Sequence, residues 1–248
     1  MDDPLKKPER SPTEPLPHEF LTEDERLLES VQNHMAVGKD AWRIFRIMGE
    51  FVEGFEDLSE IGSAVSIFGS ARVGPDNPQY EACVETARLL GEAGYAIITG
   101  GGPGIMEAAN KGAKLAGTKS VGCNIELPFE QSGNAYLDVS IDFRYFFVRK
   151  TMFVKYAEAF VIFPGGYGTM DELFEALTLI QTNKVRDFPV VLFGTDYWRG
   201  LTDWLMDTMA PDGKIAGEDL DLMYVTDDPA DAAAHIVRRQ GERLAHRR

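Results

Sequence analysis

No apolar run in the 248-residue chain approaches the ~20 residues that a membrane-spanning helix requires, and the N-terminus lacks the apolar core of a secretory signal peptide. An excess of basic residues is also missing. Lys and Arg number 25 against 40 Asp and Glu, giving a net charge of −15 and a pI near 4.7. Neither nucleic acid nor an anionic membrane is therefore an expected partner. The two cysteines, Cys83 and Cys123, make neither a metal pattern nor a disulfide framework, which fits a reducing cytoplasm as the expected location. Histidine is scarce where it would matter. His18, His34, His235 and His246 all lie in terminal segments, which argues against histidine catalysis and a histidine metal site.

Several phosphate and nucleophile motifs are absent as well. No G-x-x-x-x-G-K-[ST] exists, which excludes a P-loop triphosphatase, and there is no G-x-S-x-G elbow. The turn Gly100-Gly101-Gly102-Pro103-Gly104 fails the dinucleotide pattern. Read from Gly100, the pattern needs glycine where Ile105 stands; read from Gly102, it needs glycine where Glu107 stands.

What the chain does have is a strand, a glycine loop and a helix in sequence. The apolar run 159–163 reads as a buried strand, and Pro164-Gly165-Gly166-Tyr167-Gly168-Thr169 follows it. From Met170 to Gln181 apolar residues recur at helical spacing. Such a loop brings backbone N–H groups close to a phosphate at a helix N-terminus. Thr169 is a candidate cap, and Glu172 stands three residues later. Two readings of Glu172 are open. It closes a capping box on Thr169, or it is a carboxylate in a phosphate-lined cleft, acting on a sugar or a water.

Residues 1–20 carry five prolines and mixed charge and read as a disordered or loosely docked tail, followed by a helical extension over 21–60. Thr22 and Glu25 form a capping box, with an apolar stripe at Leu27, Leu28, Val31 and Met35. A second stripe, Trp42, Phe45, Met48, Val52 and Phe55, is expected to pack on the core or on another subunit. Residues 61–248 alternate strand and helix. Strands are expected at 64–68, 95–99, 119–125, 139–143, 159–163, 188–193 and 222–225. The fold class is α/β: a doubly wound, Rossmann-like parallel sheet with helices on both faces. Glycine turns follow the first, second and fifth strands, at the carboxyl ends where such sheets bind ligands. Ser70, Gly101, Gly102, Gly104, Gly165, Gly166, Gly168 and Thr169 are accordingly substrate-binding candidates, for a mononucleotide or sugar phosphate. The helix before the fifth strand carries Arg144, Arg149, Lys150 and Lys155, a basic segment in an acidic chain. Its adjacent Arg149 and Lys150 are the cations a phosphate site would need.

Three segments together resemble the LOG ("Lonely Guy") family of cytokinin riboside 5′-monophosphate phosphoribohydrolases. They are Gly100-Gly101-Gly102-Pro103-Gly104-Ile105-Met106, Arg149-Lys150-Thr151-Met152 and Pro164 through Glu172. The likeness spans about residues 63–226. It implies hydrolysis of the N-glycosidic bond of N6-modified AMP, or of AMP itself, to free base and ribose 5-phosphate. It also implies a homo-oligomer with active sites at a dimer interface, and no metal or organic cofactor. By the same resemblance Arg149 and Glu172 are catalytic, while Glu130, Lys150 and the loop Gly165 to Thr169 contact substrate. Phe146-Phe147 and Glu107 depart from the family's usual Met-His and glycine. The aromatic pair lines the base pocket, favouring N6-prenylated AMP, or belongs to the core. The extension is absent from the family's shortest members.

In this scheme Glu172 stabilises an oxocarbenium-like sugar and orients or deprotonates water. Arg149 holds phosphate or donates toward the departing base. A carrier or sensor that binds nucleotide without turnover would use the same fold and loops. Decarboxylation through pyridoxal phosphate would need a Schiff-base lysine, for which Lys150 is the one plausible candidate.

Overall fold

The computed structural model describes residues 22–29, 37–127 and 133–246. The proline-rich tail, Val31, Met35 and Glu130 lie outside them. Seven strands form one sheet, β1 (Ala64–Phe68), β2 (Ala96–Thr99), β3 (Ser120–Ile125), β4 (Val139–Phe143), β5 (Ala157–Ile162), β6 (Val190–Phe193) and β7 (Met223–Thr226). Every pairing is parallel, and the order across the sheet is β4-β3-β2-β1-β5-β6-β7. From β1 the chain steps outward to β4, then returns to place β5 on the other side of β1. The topological switch point, where open sheets of this kind leave a crevice, therefore lies between the carboxyl ends of β1 and β5.

The sheet is buried on both faces, so its strands read as continuous apolar runs. Period-two alternation still sorts their side chains. Along β1, Val65 and Ile67 face one core with residues of α3 (Pro78–Glu92), α4 (Ile105–Ala116) and α8 (Pro229–His246). Ala64 and Phe68 face the other, formed with residues of α5 (Phe146–Tyr156), α6 (Tyr167–Gln181) and α7 (Thr195–Trp204). Helix starts follow local chemistry. Asn77 caps α3 by accepting the Gln79 N–H at 2.9 Å, with Pro78 at the first helical position. At the N-terminus, Thr22 and Glu25 make the expected capping box in front of α1 (Glu23–Glu29). No described helix is long and apolar enough to cross a membrane.

Two readings left open by the sequence are narrowed. The stripe on α2 (Val37–Asp57) is not core. Trp42 is 70% exposed and Val52 62%, with Phe45 and Met48 exposed as well, while Ile47, Phe51 and the buried Glu50 face the domain. Nor is the aromatic pair Phe146 and Phe147 core, since both rings stand partly in solvent at the start of α5.

Candidate active site

A cleft of about 570 Å³ opens at the switch point. The loop after β1 contributes Gly69, Ser70, Ala71 and Arg72, the turn after β2 contributes Gly100, and the start of α4 contributes Met106. Ile125 and Leu127 come from the end of β3, Arg149 and Phe153 from α5, and Gly166 to Thr169 with Glu172 from the start of α6. Backbone hydrogen bonds lock the three turns together. Ser70 N–H donates to the Pro164 carbonyl at 3.0 Å, and Ile105 N–H donates to the Ser70 carbonyl at 3.1 Å. Such close approach needs Gly104. Its φ is +71°, and a Cβ there would stand 2.4 Å from the Ser70 carbonyl oxygen.

Helix α6 begins earlier than the apolar spacing suggests. Gly166 is its N-cap residue, in extended conformation, and no side chain caps the end. Thr169 thus sits inside the first turn, and the Thr169 to Glu172 capping box does not form. Glu172 is instead 3% exposed, and its Oε2 has no hydrogen-bond partner. Burial pushes its carboxyl up to about 7, against the opposing charges of Lys150 and Arg149 and with the help of Glu175 and Asp171. A carboxylate poised near neutrality on the wall of a cleft is equipped for proton transfer or for stabilising a developing cation.

Arg149 lies one turn into α5. Its side chain is half-buried, its Nε is out of solvent without a hydrogen-bond partner, and its guanidinium rests 5.0 Å from the Phe146 ring centroid and 5.5 Å from that of Phe153. Burial lowers the guanidinium from its ordinary value, and the charge of Glu172 is the first of those opposing it.

The sequence candidates divide into two groups. Ser70, Gly166, Gly168, Thr169, Arg149 and Glu172 all line the cleft. Gly101, Gly102, Gly104, Gly165 and Lys150 do not. The carbonyls of Gly101 and Gly102 accept from the Asn134 side chain at 3.1 and 3.0 Å, so that stretch of the turn is anchored inward. The Gly165 carbonyl accepts from the Tyr197 hydroxyl at 2.5 Å. Lys150 Nζ is 2.8 Å from both Asp171 and Glu175 carboxylates, which neutralise it on the other side of α6's first turns. Glu130 lies outside the described residues. Residue patterns missed Arg72 and the apolar wall of Met106, Ile125, Leu127 and Phe153, while Tyr167 belongs to the loop Gly165 to Thr169 already singled out. The position of Arg72, two residues after Ser70 in the loop following β1, was the available signal.

The model of the family described as "Possible lysine decarboxylase" matches residues 106–236, more than half of the chain. The chain belongs to this family. Its relatives include a probable cytokinin riboside 5′-monophosphate phosphoribohydrolase of Oryza sativa subsp. japonica. That relative is 28% identical over 178 residues, covering 70% of this chain and 76% of the relative. A pyrimidine/purine nucleotide 5′-monophosphate nucleosidase of Escherichia coli strain K12 is 30% identical over 156 residues, 56% of this chain and 33% of that one. Among solved structures, TM1055 is similar with a TM-score of 0.54 and 25% identity, covering 71% of this chain and 99% of that one. The family match starts at Met106, so β1 and the Gly100 to Gly104 turn precede it.

Proposed function

We propose that the chain hydrolyses the N-glycosidic bond of adenosine 5′-monophosphate, or of an N6-modified form, releasing free base and ribose 5-phosphate. The observation that carries this reading is Glu172, a buried carboxylate with an unpartnered oxygen on the wall of the switch-point cleft. Relatives named for phosphoribohydrolase and nucleotide nucleosidase activity support the same class of reaction.

The 5′-phosphate sits against the N-terminus of α6, where the amides of Gly166 to Thr169 and the positive end of the helix face it, with Arg72 on the rim as a further cation. The base lies on the apolar wall of Met106, Ile125 and Leu127. Water attacks C1′ of the ribose, the C1′–N bond breaks, and its electron pair leaves with the base. Glu172 stabilises the cationic sugar and takes the proton of the water, and the departing base takes up a proton from solvent. Arg149 holds phosphate or donates toward the base. Binding energy from the phosphate positions a reacting centre it does not touch. Phe146 and Phe147 are not among the cleft's lining residues, so a preference for N6-prenylated AMP draws no support from them.

The family model's description implies pyridoxal phosphate, and the residues present do not fit it. Lys150 is held between Asp171 and Glu175 and is absent from the cleft lining. Incubating the protein with AMP and with N6-isopentenyl-AMP, with products separated by HPLC, tests the reading. Equimolar base and ribose 5-phosphate are expected. Tight binding of either nucleotide with no product would instead make the chain a carrier.

Self-association is part of the same proposal. A run of large apolar side chains exposed along α2 is more than scattered surface hydrophobics account for. Light scattering at micromolar concentration should give a dimer or larger. A clean particle at the 27.6 kDa chain mass would contradict it.

A further inference from the structure

Helix α5 has neither an acidic residue in its first turn nor a side-chain cap of its own, although it carries Arg149. Uncapped N–H groups at a helix start need partners. They find them far away in the chain. The buried Glu50 carboxylate of α2 accepts from Arg144 N–H at 3.2 and 3.3 Å and from Tyr145 N–H at 3.4 Å. Asp24 of α1 accepts from Phe146 N–H at 3.4 Å, and Glu23 accepts from the Tyr145 hydroxyl at 3.4 Å. Three carboxylates of the N-terminal extension thus converge on the positive end of one helix, where anions are favoured.

The groups they hold are the ones that place Arg149. The Tyr145 carbonyl accepts the Arg149 N–H at 3.3 Å, and the Phe146 ring lies under the guanidinium. The other end of the contact is also fastened. Tyr156 at the end of α5 donates its hydroxyl to the Phe55 carbonyl of α2 at 3.1 Å. Between the two, α2 comes so close that a Cβ on Gly54 would stand 2.9 Å from the Met152 side chain.

We propose that the N-terminal helices serve as the cap of α5, with Glu50 the positioning residue that sets Arg149 in the cleft. The proposal rests on the hydrolase reading for its kinetic consequence, but not for its geometry. Glu50→Ala removes the acceptor from two N–H groups. Glu50→Gln keeps an acceptor oxygen of the same reach and the same side-chain size.

In the full chain, Glu50→Ala should speed amide hydrogen exchange at Arg144 and Tyr145, the two amides it holds. It should also lower kcat/KM for AMP by about 10- to 100-fold at temperatures well below its Tm, as small misplacement of a positioned group does. Glu50→Gln should recover most of that loss, and Asp24→Ala should reproduce a smaller one through Phe146. A purely structural Glu50 would lower Tm and leave kcat/KM within about twofold, and that result overturns the proposal. So does Glu50→Gln as damaged as Glu50→Ala. Should the wild-type chain fail to hydrolyse either nucleotide, the hydrolase reading fails by itself. The positioning claim is then decided by amide exchange, which Glu50→Ala must speed, and by calorimetric affinity for ribose 5-phosphate, which it must weaken, with Glu50→Gln restoring both.

Discussion

Glu172→Gln should hydrolyse AMP ~10²–10⁴-fold more slowly than the wild-type chain while still binding it, the span typical of positioned acid–base catalysis. Gln preserves shape and removes the charge, so the loss isolates the carboxylate. Stability should move the opposite way. The folded-state value of about 7 lies above the ordinary 4.5, so the contribution of Glu172 to stability is fully present below pH 4.5 and is lost as pH rises through 7. At pH 8 the buried charge is a cost that Gln does not carry. The variant should then be more stable by on the order of 1–3 kcal/mol, with the difference vanishing near pH 4.5. Thermal melts at the two pH values, alongside ribose 5-phosphate release, check both halves. An inactive variant that is also destabilised at pH 8 would mean that the side chain holds the structure rather than performs chemistry.

Arg149→Ala should weaken calorimetric affinity for ribose 5-phosphate by roughly 10- to 100-fold if the guanidinium holds phosphate, since a hydrogen bond to a charged group is worth about 1.5–3 kcal/mol. If it donates toward the base instead, kcat should fall while that affinity stays near wild type. Either way the Glu172 carboxyl loses a positive neighbour that lowers it. Its titration, read as the acid limb of the rate profile, should therefore move to higher pH. Unchanged affinity, kcat and limb would remove Arg149 from the site.

Much of this architecture was legible in the residues. Apolar strand runs ending in glycine turns gave a parallel sheet, because strands buried on both faces are continuous in hydrophobicity. All seven strands stand within two residues of their expected ends. Of the polar residues that line the cleft, Ser70, Thr169 and Glu172 stood out beside glycine turns at strand ends and Arg149 in a basic helix, whereas Arg72 did not. The start of α6 was not. Tyr167 and Gly168 are poor helix formers and Thr169 a good cap, so local propensity pointed three residues too late, and tertiary packing around Gly166 overrode it. The α2 stripe left core and subunit packing open, because an amphipathic pattern marks an apolar face without saying what meets it. Lys150 looked like a phosphate cation, yet Asp171 and Glu175 sit one turn apart on a different helix and take it up. The apolar wall of the cleft was invisible in one dimension, since Met106, Ile125, Leu127 and Phe153 come from three separate stretches.

The pH dependence of kcat/KM for AMP between pH 5 and 9 tests most directly the claim that a buried, unpartnered Glu172 does the chemistry. In the proposed mechanism ionised Glu172 is the active form, so the rate should fall on the acid side with an apparent pKa of about 7. That limb should be missing from the residual rate of Glu172→Gln. A rate that stays level down to pH 5, or an acid limb that persists unchanged in the Gln variant, would contradict the account.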